Sequence, residues 1–118
     1  MKTVLLVLLL GAAGAALSAH GEGVQGYAGP GWAVGCTGVI KPASQTPLTA
    51  LALGELALRA GLPAGVCNIV TGPARAIGGE LTASPVVRKL SFTGSTEVGA
   101  VLLAQCAPTV KRTSMELG

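Results

Sequence analysis

The chain has 118 residues, half of them hydrophobic and 11% charged, with a formal net charge of +3. That length suits one small domain, and that composition excludes disorder throughout. Aspartate is absent, which removes Asp-based metal sites and an Asp-containing triad, and the eight Lys and Arg residues are dispersed without interleaved aromatics, which argues against a nucleic-acid surface.

Aromatic residues make up only 3% of the chain, so the core must be built from Leu, Val, Ile and Ala. The cysteines, Cys36, Cys67 and Cys106, are far apart, and His20 is the sole histidine. No zinc-ligand spacing exists, and the thiols read as small buried apolar groups.

At the N-terminus, Met1-Lys2-Thr3 precedes an apolar run from Val4 to Leu10, and small residues follow to Ala19. A charged start, a short hydrophobic centre and a small-residue exit have the shape of a secretory signal, with Leu17-Ser18-Ala19 or Ala13-Gly14-Ala15 as cleavage sites. The alternative is a buried first strand ending in a Gly-rich turn. The signal-like shape is the favoured expectation for residues 1–19. Residues 20–34 are dominated by Gly and read as a linker, in which His20 and Trp32 have no chemical partners.

From Gly35 the pattern becomes regular. Thr37-Gly38-Val39-Ile40 reads as a short buried strand ending at Lys41-Pro42. Thr46 and Pro47 suit the cap and first position of a helix whose apolar stripe is Leu48, Leu51, Ala52, Leu56 and Ala60. Gly61 should end that helix in a left-handed conformation, with Pro63 beyond. Val66 to Val70 reads as a second strand, Arg75 to Ala83 as a short helix broken by Pro85, and Val86 to Thr93 as a third strand. A helix from Ser95 or Thr96 to about Cys106 and a strand within Val110 to Leu117 follow. The order β-α-β-α-β-α-β predicts an α/β fold with a parallel sheet. In such a sheet the Lys41, Gly72 and Gly94 loops and the Glu116 end share the edge where ligands bind.

The segment Ser91-Phe92-Thr93-Gly94-Ser95-Thr96-Glu97-Val98-Gly99 stands out within this pattern. A strand feeds a helix through a glycine and two hydroxyls. Unpaired N–H groups and a partial positive charge at a helix start favour a phosphate. Gly94 permits close backbone approach, and Ser95 or Thr96 can cap the helix or face the phosphate. The same residues also suit an ordinary capped turn.

The runs Gly35-Cys36-Thr37, Lys41-Pro42-Ala43-Ser44-Gln45-Thr46-Pro47, Ala60-Gly61-Leu62-Pro63-Ala64-Gly65-Val66, Asn68-Ile69-Val70-Thr71-Gly72, Ser91 to Gly99 and Met115-Glu116-Leu117-Gly118 resemble the aldehyde dehydrogenase superfamily in order and spacing. Leu58-Arg59-Ala60-Gly61 and Val87-Arg88-Lys89-Leu90-Ser91-Phe92 look most like its succinate-semialdehyde dehydrogenase branch. The resemblance covers about residues 33–118. It implies a partial doubly wound, Rossmann-like coenzyme-binding domain over residues 35–118, and NADP or NAD as coenzyme.

By that resemblance Lys41, within Lys41-Pro42-Ala43-Ser44, holds the adenosine ribose, and the Ser44 position helps to choose the coenzyme. A carboxylate there would bond the ribose 2′-hydroxyl and repel a 2′-phosphate. Uncharged Ser44 implies that NADP is tolerated or preferred. Gly94, Ser95, Thr96, Glu97, Val98 and Gly99 would meet the pyrophosphate, with Glu97 mainly structural in the first helical turn. Glu116 matches the family's general base, and Leu117 lies beside the coenzyme. In the family mechanism a cysteine thiolate attacks the aldehyde, hydride leaves for the nicotinamide, and the glutamate activates water to hydrolyse the thioester.

The family's nucleophilic cysteine falls downstream of the Glu116 motif, and Cys36, Cys67 and Cys106 do not match its position. Its oxyanion asparagine falls in a Trp-Asn-Phe-Pro motif upstream of Lys41, where Gly29-Pro30-Gly31-Trp32 stands here. The expectation is a truncated coenzyme-binding piece without dehydrogenase activity of its own, taking an aldehyde only within a full-length enzyme. Its bare sheet edges and apolar faces should promote self-association. The family works in cytoplasm or mitochondria, whereas the N-terminal shape argues for secretion.

Overall fold

The computed structural model describes residues 5–10, as backbone, and residues 37–118. Five parallel strands form one sheet: β1 (Leu5–Leu10), β2 (Thr37–Lys41), β3 (Cys67–Ile69), β4 (Val87–Gly94) and β5 (Arg112–Leu117). Their spatial order is β3-β2-β1-β4-β5. Among the described residues three helices accompany them: α1 (Leu48–Arg59), α2 (Ala74–Ala83) and α3 (Thr96–Cys106), the last running into a 3-10 turn at Ala107–Thr109.

The strand–helix alternation expected from residue 37 onward is present, and the sheet holds one strand more. Leu5–Leu10 is its central strand, paired with β2 on one side and β4 on the other. The strand interpretation of the apolar run thus describes its backbone. An unbroken apolar run is what a strand covered on both faces of a parallel sheet requires. The cleavage sites, the Gly-rich stretch with His20 and Trp32, the Gly29–Trp32 stretch and Cys36 lie outside the described residues.

Helix α1 begins one residue later than its expected cap. Pro47 occupies the cap position with helical dihedrals and makes no side-chain cap. The Thr46 amide instead donates to the Ala43 carbonyl at 3.2 Å, closing the turn that follows β2. At the other end the expectation holds. Gly61 has φ +86°, and Leu62 N–H donates to the Ala57 carbonyl at 3.0 Å, a left-handed cap that a side chain would strain.

The core lies between β4 and helices α2 and α3. Val87, Leu90, Phe92, Leu102 and Cys106 form it, with Val39, Leu81 and Met115 against its edge. Alternation along β4 sends Leu90 and Phe92 to one face, as the sequence pattern requires. Thr82, fully buried, bonds the Gly79 carbonyl at 3.0 Å and Gln105 Oε1 at 3.2 Å, which ties α2 to α3. Asn68 reaches from β3 to the Gly38 carbonyl of β2 at 3.1 Å and to the Gly65 carbonyl at 2.8 Å. It pins the edge strand at its entry turn.

Candidate functional site

Because all five strands are parallel, the ends of β2, β4 and β5 lie on one rim. Register fixes their heights. Lys41 pairs with Leu9 of β1, Leu9 with Phe92 of β4, and Phe92 with Met115 of β5. Glu116, paired with Thr93, stands one residue further up, and Leu117, paired with Gly94, stands two. One strand, β1, separates Lys41 from the Gly94 turn. Two inter-strand spacings amount to about 10 Å. Order β3-β2-β1-β4-β5 reverses direction at β1, the crevice where doubly wound sheets bind ligands.

On the β2 side, Lys41 is 4% exposed, and its Nζ donates to Ser44 Oγ at 3.1 Å. Pro42 and Ala43 are buried, whereas Ser44 is exposed. The turn thus sets a buried cation beneath an exposed hydroxyl. An ammonium has three donors, so a phosphate or ribose oxygen could share this one with Ser44.

On the β4 side, Ser95 caps α3, its Oγ accepting from Val98 N–H at 3.4 Å. The Gly99 amide closes the first helical bond to the Ser95 carbonyl at 3.0 Å. Glu97 lies in that first turn, where the helix dipole favours a carboxylate. Ser95, Thr96, Glu97 and Val98 are all exposed, whereas Gly99 is buried. The exposed Thr96 and Glu97 amides at the helix start, which precede the first helical bond, are therefore open to an anion. Phe92 supports this turn from below: a Cβ on Gly94 would stand 2.5 Å from the Phe92 ring. Sequence analysis missed that role, although a glycine two residues beyond an aromatic on one strand is the pattern of a same-face contact.

Glu116 is exposed at the end of β5. The described thiols are not near it. Cys67 opens β3, and so lies on the opposite edge of the sheet from the rim. Cys106 ends α3, about 17 Å along the helix from Ser95. Burial raises the pKa of both thiols; a Coulomb attraction from Lys111 lowers that of Cys106 in part. Neither thiol is activated as a nucleophile.

The pattern of the aldehyde dehydrogenase family matches residues 24–118, a wider span than the motifs alone. The chain belongs to the aldehyde dehydrogenase family. It is 67% identical over 91 residues to the NADP(+) succinate-semialdehyde dehydrogenase of Escherichia coli (strain K12), covering 77% of this chain and 19% of that protein. It is 64% identical, over the same length and shares, to glutarate-semialdehyde dehydrogenase of Pseudomonas aeruginosa. A crystal structure of aldehyde dehydrogenase from Brucella melitensis biovar abortus 2308 matches with a TM-score of 0.82 at 54% identity, across 97% of this chain and 23% of that one. The chain spans about a fifth of the length of the curated relatives it matches.

The resemblance and the α/β, Rossmann-like fold are thus established for this aldehyde dehydrogenase chain. What sequence analysis did not place on the rim is β1. Its last residue, Leu10, pairs with Thr93 and ends between the two loops. The signal was present in the seven consecutive apolar residues Val4 to Leu10, but a secretory centre has the same composition.

Proposed function

We propose that this chain carries the coenzyme grip of a succinate-semialdehyde-type aldehyde dehydrogenase. It binds NADP or NAD, and these 118 residues alone oxidise no aldehyde. The observation that carries this reading is the shared rim: Lys41 and the Ser95 turn stand one strand apart at the reversal point of the sheet.

The residues fit a dinucleotide. Lys41 and Ser44, with Pro42 and Ala43 shaping their turn, would hold the adenosine ribose and a 2′-phosphate. Gly94 lets the backbone approach, and Ser95 with the amides of Thr96 and Glu97 would hold the pyrophosphate, the Val98 and Gly99 amides being bonded to Ser95. Leu117 would line the nicotinamide side. When bound, the coenzyme supplies a hydride acceptor. Glu116, exposed on the same rim, is suited to take a proton from water in the complete enzyme.

NADP is the favoured form. Ser44 is uncharged, and its neighbour Lys41 is a cation available to a 2′-phosphate. The relative from Escherichia coli carries NADP(+) in its name. The two described thiols, Cys67 and Cys106, lie away from the rim with raised pKa values, which speaks against either as the nucleophile. Pure protein mixed with NADP and succinate semialdehyde should give no reduced nicotinamide above the blank. Aldehyde-dependent growth of its absorbance would overturn the catalytic half of the reading.

A further inference from the structure

The rim loops are not independent, and Gly99 joins them. Its amide donates to the Ser95 carbonyl at 3.0 Å, so it closes the first turn of α3. It is buried. A Cβ built on it would stand 2.5 Å from Leu117 Cδ2 and 3.3 Å from Cδ1. Leu117 is the last residue of β5, next to Glu116, and pairs in register with Gly94. One residue on, Gly118 N–H donates to the Gly94 carbonyl at 3.2 Å.

We propose that Gly99 is a positioning residue. Its bare Cα is the seat for the Leu117 side chain, and that seat fixes the end of β5, with Glu116, against the Ser95 turn. The proposal rests on the roles given above to the turn and to Glu116. A side chain at 99 and Leu117 in its present place cannot coexist, because 2.5 Å is far inside carbon–carbon contact. The group that yields is the end of a flexible leucine, 42% exposed, which rotates off the helix. The consequence therefore falls on the end of β5 rather than on α3. Alanine is a better helix former than glycine, so a loss at this position runs against helix propensity.

The test compares the full 118-residue chain with Gly99→Ala, Leu117→Ala and the double variant. Two quantities are read on folded protein: hydrogen exchange of the Gly118 amide, and the Kd for NADP. In Gly99→Ala the Gly118 amide should exchange about tenfold faster, and NADP should bind about threefold to tenfold more weakly. In the Leu117→Ala background, where the seat is already empty, adding Gly99→Ala should change neither quantity. Additive costs would overturn the proposal. So would a shifted unfolding midpoint with Gly118 exchange and NADP affinity unmoved, the signature of a merely structural glycine. Should the parent chain bind no NADP, the coenzyme reading falls, and Gly118 exchange alone decides the seat.

Discussion

Lys41 Nζ donates to Ser44 Oγ across 3.1 Å, which joins a buried cation to an exposed hydroxyl within a single turn. The ammonium leaves the end of β2 and lies under the loop rather than in water. That arrangement makes the turn sensitive to charge at either position.

Ser44→Glu should convert the coenzyme preference. A carboxylate beside Lys41 would occupy the cation and oppose a 2′-phosphate, at a cost of about 2 kcal/mol, or roughly thirtyfold in NADP affinity. NAD, which lacks that phosphate, should change by less than about threefold. Calorimetric titration with both coenzymes measures the ratio, and an unchanged ratio contradicts the role given to Ser44.

Lys41→Met should separate binding from stability. Methionine fills a similar volume without burying a charge, so the unfolding free energy should hold or rise. NADP binding should fall by about 2 kcal/mol, the scale of a hydrogen bond to a charged group. The remaining affinity should also depend less on salt. Urea unfolding and coenzyme titration on the same preparation check both halves.

Ser95→Ala removes the cap of α3. The Oγ–Val98 N distance of 3.4 Å is long, so the loss should sit near the low end for caps, about 0.5 kcal/mol. Ser95→Gly should lose only a few tenths. Thermal unfolding resolves the two, because about 1 kcal/mol moves the midpoint of a domain of this size by several degrees.

How much of this was legible in the sequence varied with the kind of signal. Gly61 and Ser95 announced their turns because φ and capping are local demands, and these hold in the structure, whereas Gly94 was read for the approach of a ligand and has the Phe92 ring against it. Helix α3 and strand β4 followed from periodicity. The start of α1 was off by one residue, because Thr46 is engaged with the turn behind it. The place of Leu5–Leu10 was not legible in the same way. The run of seven apolar residues from Val4 to Leu10 has the composition of a secretory centre and of a central strand alike, and its pairing with β2 and β4 is a long-range relationship that composition does not carry. Of the candidate site, residue types at Lys41, Ser95 and Glu116 came from motif resemblance and their shared edge from the strand–helix alternation, whereas their relative heights on the rim came from register. The Gly99–Leu117 contact spans two elements, and no local pattern carries it.

Alkaline pH should destabilise the chain through Cys106. Burial raises this thiol above its ordinary value of 9.0, with Lys111 pulling it partly back. The native state therefore keeps the proton to higher pH than the unfolded chain does. Stability is complete below the unfolded value and is lost as pH rises past it. Cys67 acts with the same sign. The urea midpoint should hold below about pH 9 and fall as pH rises above it, and Cys106→Ala should flatten that fall. Parallel curves for the two proteins would contradict it.

Helix α1 should make the chain associate. Leu48, Leu51, Leu56 and Leu58 are all exposed, and β3 and β5 are the edge strands of the described sheet. Sedimentation velocity should show a mass that rises with concentration, and Leu51→Glu with Leu58→Glu should raise the monomer share. A monomer at every concentration would contradict this expectation.

The most direct test of the shared rim is calorimetric titration of NADP into the pure 118-residue chain, with circular dichroism confirming its helices and strands. The account predicts saturable binding at one site, weakened in both Lys41→Met and Ser95→Ala. A folded chain that takes up no NADP, or binds it equally well in both variants, would contradict it.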